Sequence, residues 1–170
     1  MKIIFIFFFI LSIFTFDVKA QIVYIDLNAI LNKSEVGKSL NSHIAKIKKE
    51  NTEKYRLIQN NLIEKEKLLI AQQNILDENE FKKKLSTLAS EVEKYRSDKK
   101  FSVDQIKKIK IDRTKEILRF LNPIITKYVD SNSITLVLPK KNIIIGKKKL
   151  DISDQIIKLL NNDIKKLNFK

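Results

Sequence analysis

Between Val36 and Val129 the chain contains almost nothing that stops a helix, with Gly37 near one end and Pro123 near the other. Within that stretch Val36, Ile47, Ile58 and Leu69 recur every eleven residues; Leu40 and Leu62 share a second such row, and Ile44 and Tyr55 a third. Eleven residues span about three helical turns, so the row stays on one face without a strong left-handed supercoil. The pattern predicts two long helices folded back on each other at residues 75–77. The apolar stripe is narrow and the other faces are charged, which describes an arm and not a globule. Asn51, Glu66 and Gln73 fall on stripe positions, which predicts loose packing toward the tip.

The second helix is expected to begin at Asp77, with Glu80 three residues on in an acidic capping box. Its stripe runs through Phe81, Leu85, Leu88, Val92 and Tyr95, then Val103, Ile106, Ile109, Ile117 and Phe120-Leu121, interrupted at Lys99. Pro123 lies inside this pattern, so a kink is expected there. The second helix outruns the first by two or three apolar turns, which should pack against the base.

The flanks supply that base. Ile22-Val23-Tyr24-Ile25 reads as a buried strand and Asn28-Ala29-Ile30-Leu31 as one helical turn. Ser34 is placed to cap the first long helix, with Glu35 near its positive end. Gly37, costly in a helix, marks either the close approach of another backbone or an idiosyncratic surface glycine. After the hairpin, Ile134-Thr135-Leu136-Val137-Leu138 reads as a strand and Pro139 to Asn142 as a turn. Ile143-Ile144-Ile145 reads as a third strand, and a last helix starts at Asp151-Ile152-Ser153-Asp154. Residues 21–35 and 130–170 thus form a small β-rich body, and residues 36–129 a hairpin arm. Such a body is marginal alone and has open sheet edges, so oligomerisation through the sheet is expected.

Residues 1–20 read as a cleaved secretory signal: Lys2, an apolar run from Ile3 to Phe16, then Val18 and Ala20 before Gln21. The run is shorter than the roughly 20 apolar residues of a spanning helix. No cysteine occurs, so an exported chain must be held by packing or association.

The net charge is +14, and most of the excess lies on the arm, where residues 36–129 carry 22 basic and 13 acidic side chains. Lys82, Lys83, Lys84, Arg96, Lys99, Lys100, Lys107, Lys108 and Lys110 make its second helix strongly basic. This charge favours negatively charged partners; export argues against nucleic acid and leaves acidic polypeptides or anionic lipid. Catalytic chemistry has little to draw on. His43 is the sole histidine, and Gly37-Lys38-Ser39 lacks the upstream glycine of a phosphate loop. No metal, cofactor or enzymatic activity is expected.

The order of elements resembles that of the Skp (OmpH-like) periplasmic chaperones. The resemblance is carried by Val23-Tyr24-Ile25-Asp26 leading to Ile30-Leu31 and Ser34-Glu35-Val36-Gly37-Lys38. It continues through Leu121-Asn122-Pro123-Ile124, Ile134 to Leu138, and Asp151 to Asp154. Pro139-Lys140-Lys141 and the heavy use of Lys, Asn and Ile depart from it. The resemblance implies a homotrimer with a barrel-like body, built here on Ile22, Val23, Tyr24, Ile25, Ile134, Leu136 and Leu138. It implies three arms around a cavity, their basic residues contacting unfolded outer-membrane proteins in the periplasm without ATP. An envelope coiled-coil scaffold and an anionic lipid or lipopolysaccharide binder are the alternatives.

Overall fold

A computed structural model describes residues 20–164, so the expected signal segment lies almost wholly outside the described residues. Strand β1 (Gln21–Ile25) leads into a short helix α1 (Leu27–Lys33). The hairpin follows as α2 (Glu35–Ala71) and α3 (Glu78–Ser131). Strand β2 (Ile134–Pro139), two 3-10 turns and a final helix α4 (Ser153–Asp163) complete the described chain.

Local chemistry explains most boundaries. The Asp26 carboxylate accepts from the Ala29 amide (2.9 Å) and starts α1. Ser34, wholly buried, accepts from the Gly37 amide (3.2 Å) and starts α2 as its cap. Asp77 accepts from both Asn79 and Glu80, starting α3. Glu80 does not complete the box; it pairs with Lys84 at 3.1 Å. The first long helix ends at Ala71, four residues before the expected Ile75, because Gln72 to Leu76 close into tight turns on the Gln72 and Ile70 carbonyls. Helix α3 continues through Pro123 as one element. It ends at Asn132, whose side chain donates to the Tyr128 carbonyl (2.8 Å), and Ser133 turns the chain with a positive φ of 52°.

Strands β1 and β2 are parallel neighbours, with Ile22 opposite Leu136, Val23 opposite Val137 and Tyr24 opposite Leu138. The whole hairpin is therefore the crossover between two adjacent parallel strands. The other edge of β1 takes up the chain again at Asp151, where the Ile152 amide donates to the Tyr24 carbonyl (3.0 Å). The expected strand at Ile143-Ile144-Ile145 does not form, and the sheet has two strands and not three. The run has strand propensity, but a strand needs a partner along its edge, and the chain bends away from β2 here. Ile144 and Ile145 are left 99 % and 91 % exposed.

The core gathers every element of the base. Val23 and Ile25 from β1, Ile30 from α1, and Ile152, Ile156 and Leu160 of the C-terminal segment meet Val36, Leu40, Ile117, Leu121 and Ile124 from the hairpin roots. The overshooting turns of α3 thus pack where expected. Polar ties close the seams between segments: the Asp26 amide donates to Ser153 Oγ (2.7 Å), and the Glu35 amide to Asn161 Oδ1 (2.8 Å).

Gly37 is where α1 folds against α2. A Cβ there would lie 1.7 Å from the Leu31 carbonyl oxygen, a backbone atom that cannot step aside. Exchange of a helical glycine for alanine ordinarily stabilises by about 1 kcal/mol. Gly37→Ala is instead expected to destabilise by about 3 kcal/mol, an overpacking effect, read as a lower urea midpoint.

A second prediction concerns acid. Asp26 is held below its ordinary carboxylate range near 3.8, first by the Ala29 amide and then by Lys140, whose Nζ lies 3.2 Å away. A carboxyl with a depressed folded-state value adds stability above the ordinary value and loses it as pH falls through the depressed one. Asp26→Asn should therefore flatten the loss of stability as pH falls below the ordinary carboxylate range, measured by urea unfolding at a series of acid pH values.

Candidate functional site: the hairpin arm

At about 1.5 Å per residue, α2 runs roughly 55 Å and α3 roughly 80 Å. Their contact is a thin seam. On α2 the buried positions beyond the base are Tyr55, Leu62 and Leu69, with Ile47 and Asn51 half-buried. The seam follows the eleven-residue spacing from Val36 to Ile47, then settles into sevens from Tyr55 to Leu69. Ile58, expected in the seam, lies on its rim at 37 % exposed, because Tyr55 and Leu62 take the central line. On α3 the line passes through Leu88, Val92, Tyr95, Ser102, Ile106, Ile109 and Ile117. Leu85, Val103 and Phe120 were expected in it, but they stand off the central line and are exposed.

Two polar layers interrupt the seam. Ser102 Oγ donates to the Asn51 side-chain carbonyl. One turn outward, the Tyr55 and Tyr95 rings meet at 6.0 Å, and the Tyr95 hydroxyl donates to Gln59 (3.1 Å). Lys99 stands 5.3 Å from the Tyr95 ring centroid, so its interruption of the stripe has a cation–π partner. Beyond this point Glu66 and Gln73 point to solvent, as an apolar stripe that thins outward requires.

The nine basic residues are all exposed and do not converge on one point. From Lys82 to Lys110 they spread over roughly 40 Å of helix. Lys82 pairs with Glu78, Lys84 with Glu80, Arg96 with Glu93 and Lys107 with Asp104, each within one helical turn. Exposed pairs of this kind are worth only about 0.3–0.5 kcal/mol, so they leave the cations available. Sequence reasoning missed which cations share a face with apolar side chains, although the three-and-four spacing carries that signal. His43 sits half-buried in a shallow groove with Ile47, Ile109, Asp112, Arg113, Glu116 and Arg119, set among charged side chains. Among the described residues, no group of three or more His, Cys, Asp or Glu is placed to hold a metal ion.

Of the seven strand residues, Val23, Tyr24, Ile25 and Ile134 are buried within the chain and Leu138 is half-buried. Ile22 and Leu136 face each other across the strand pair and stay 46 % and 47 % exposed. With Ile144 and Ile145 they leave apolar surface uncovered on the base.

The arm's outer half has few buried side chains, and its hydrogen bonds lie near water. Backbone amides of residues 60–90 are therefore expected to exchange with solvent at least about tenfold faster than those of residues 115–125, by hydrogen exchange with mass spectrometry. Uniform protection along the arm would show that the seam is as strong at the tip as at the root.

A family model described as "Outer membrane protein (OmpH-like)" matches residues 21–160. Among solved structures, one from Caulobacter crescentus CB15, provisionally assigned as an outer membrane chaperone (OmpH-like), shares the fold with a TM-score of 0.82. Identity is 15 %, over 89 % of this chain and 90 % of that one, a likeness of fold. No curated protein matches the sequence at a significant level. The family match takes in both strands, the whole hairpin and most of α4, and so the chain belongs to the OmpH-like outer membrane protein family.

Proposed function

We propose that this chain is an ATP-independent periplasmic holdase that binds unfolded outer-membrane β-barrel proteins and keeps them from aggregating. The observation that carries the reading is the arm: a long hairpin whose outer surface mixes uncovered apolar side chains with cations and presents no enclosed pocket. Leu57, Leu68, Leu85 and Phe101 are each about half exposed or more. A client in transit exposes apolar faces and unpaired strand edges. Many weak apolar and electrostatic contacts hold such a chain without selecting one sequence. Lys82, Lys83, Lys84, Arg96, Lys99, Lys100, Lys107, Lys108 and Lys110 are the proposed electrostatic contacts. Family membership and the shared fold of the Caulobacter protein support the same reading.

The working form is a homotrimer. Its body comprises residues 21–35 and 130–170, its arms residues 36–129, and residues 1–20 are the export signal. The apolar surface at Ile22, Leu136, Ile144 and Ile145 supports association, since one chain leaves it in water. In the trimer the strands of three copies close into a barrel-like body, which removes the open edges.

The test is light scattering on residues 21–170, followed by dilution of a urea-unfolded porin into the protein without ATP. A particle of three chains that keeps the porin soluble is expected. Single Lys→Ala changes on the arm should alter its capacity by less than about twofold, since no contact dominates. A stable monomer that leaves the porin to precipitate overturns the reading. Affinity for one folded envelope protein alone would indicate a scaffold, and salt-sensitive binding to anionic lipid or lipopolysaccharide alone would indicate a lipid binder.

A further inference from the structure

The residue at which the exported chain would start has a chemistry of its own. With the export signal cut after Ala20, Gln21 becomes the first residue of the mature chain. A glutamine at a free amino terminus carries its own electrophile, because its α-amine and its side-chain amide carbon lie at the spacing that closes a five-membered ring. At pH 7 about a tenth of an α-amine with the ordinary value of about 7.7–8.0 is neutral and nucleophilic.

The fold leaves this end open to the reaction. Gln21 begins β1 and is exposed, while Val23, Tyr24 and Ile25 of the same strand are buried. Among the described residues its side-chain amide has no hydrogen-bond partner, so nothing holds the amide away from the amine. The pairing with β2 slips here, since Gln21 stands opposite Ile134 and Ile22 opposite Leu136. The first residue of a strand, ahead of such an irregularity, is a position where a ladder tolerates a proline-like ring. The shallow groove around Gln21 is lined also by Ile22 and Leu150, with no carboxylate to hold an α-ammonium. The Lys148–Leu150 turn, which packs against β1, adds cations and no acid.

We propose that Gln21 is a modification site: on the export-signal reading, on which this rests, its α-amine attacks its own side-chain amide and the mature chain begins with pyroglutamate. The bond from the α-nitrogen to Cδ forms and the Cδ–Nε2 bond breaks. The side-chain nitrogen leaves as ammonia, taking the proton that the amine gives up, so no co-reactant is needed. The lactam keeps one N–H and loses the terminal charge. Having no free amine, it also closes the exposed end of β1 to aminopeptidases, which would otherwise cut toward Val23 and Ile25 of the central core.

The test is the intact mass of the full chain, residues 1–170, expressed with export in a bacterium and recovered from the cell envelope. A mass equal to that of residues 21–170 less one ammonia is expected. Ring closure at an asparagine elsewhere would also lose ammonia, so Gln21→Asn is measured beside it. That side chain is one methylene too short for the five-membered ring, and the variant should show no loss. The full mass of residues 21–170, unchanged after days at neutral pH, overturns the proposal and leaves the export signal standing. An equal ammonia loss from Gln21→Asn does the same. A chain that keeps residues 1–20, or starts at any other residue, overturns both.

Discussion

Everything in this fold hangs on the closure of one small core around the roots of the hairpin. Val36, Ile117 and Leu121 are removed from water almost completely, and they meet Ile30, Ile156 and Leu160 from segments far away in the sequence. Without that cluster, β1 and β2 are a two-stranded parallel pair whose crossover is about three quarters of the described chain, and such a pair has no stability of its own. Conversely, the two helices are too thinly apolar to hold each other without a fixed end. The core therefore sets the register of the strands and the direction in which the arm leaves the base.

Position by position, the arm trades stability for surface. Its seam is apolar at the root, polar at Asn51–Ser102, aromatic at Tyr55–Tyr95, and then reduced to isolated leucines at 62 and 69. A wider stripe would bury the same side chains that now stand in water, such as Leu57, Leu68 and Phe101. The binding of unfolded chains proposed above needs that exposure, and the cations around it oppose self-association of the arms through mutual repulsion. The base shows the opposite pattern, with a fully buried cluster at its centre, while Ile22, Leu136, Ile144 and Ile145 stay in water.

On the proposed reading, binding is distributed along the arm and not concentrated in a site. The charged groups lie on exposed helix faces, where water screens them; of the two carboxyls held below their ordinary range, Glu53 owes it to Arg56 on its own helix, and Asp26 belongs to the joint between β1, α1 and the Lys140 turn.

Much of this was legible in the residues alone. The hairpin, the caps at Ser34 and Asp77, the close approach at Gly37 and the placement of the last turns of α3 all follow from local spacing and local hydrogen-bond chemistry, which neighbouring residues specify by themselves. Ile143–Ile145 did not obey its propensity, because whether a strand forms depends on an edge that local sequence cannot supply. Ile58 and Val103 left the seam for a related reason: a recurrence defines a face, but the partner helix decides which line on that face is central. The sequence by itself determined that this chain would make a long basic hairpin on a small base. Only the tertiary structure decided that β1 and β2 pair in parallel and which apolar side chains stay in water, because each depends on contacts between residues far apart in the chain.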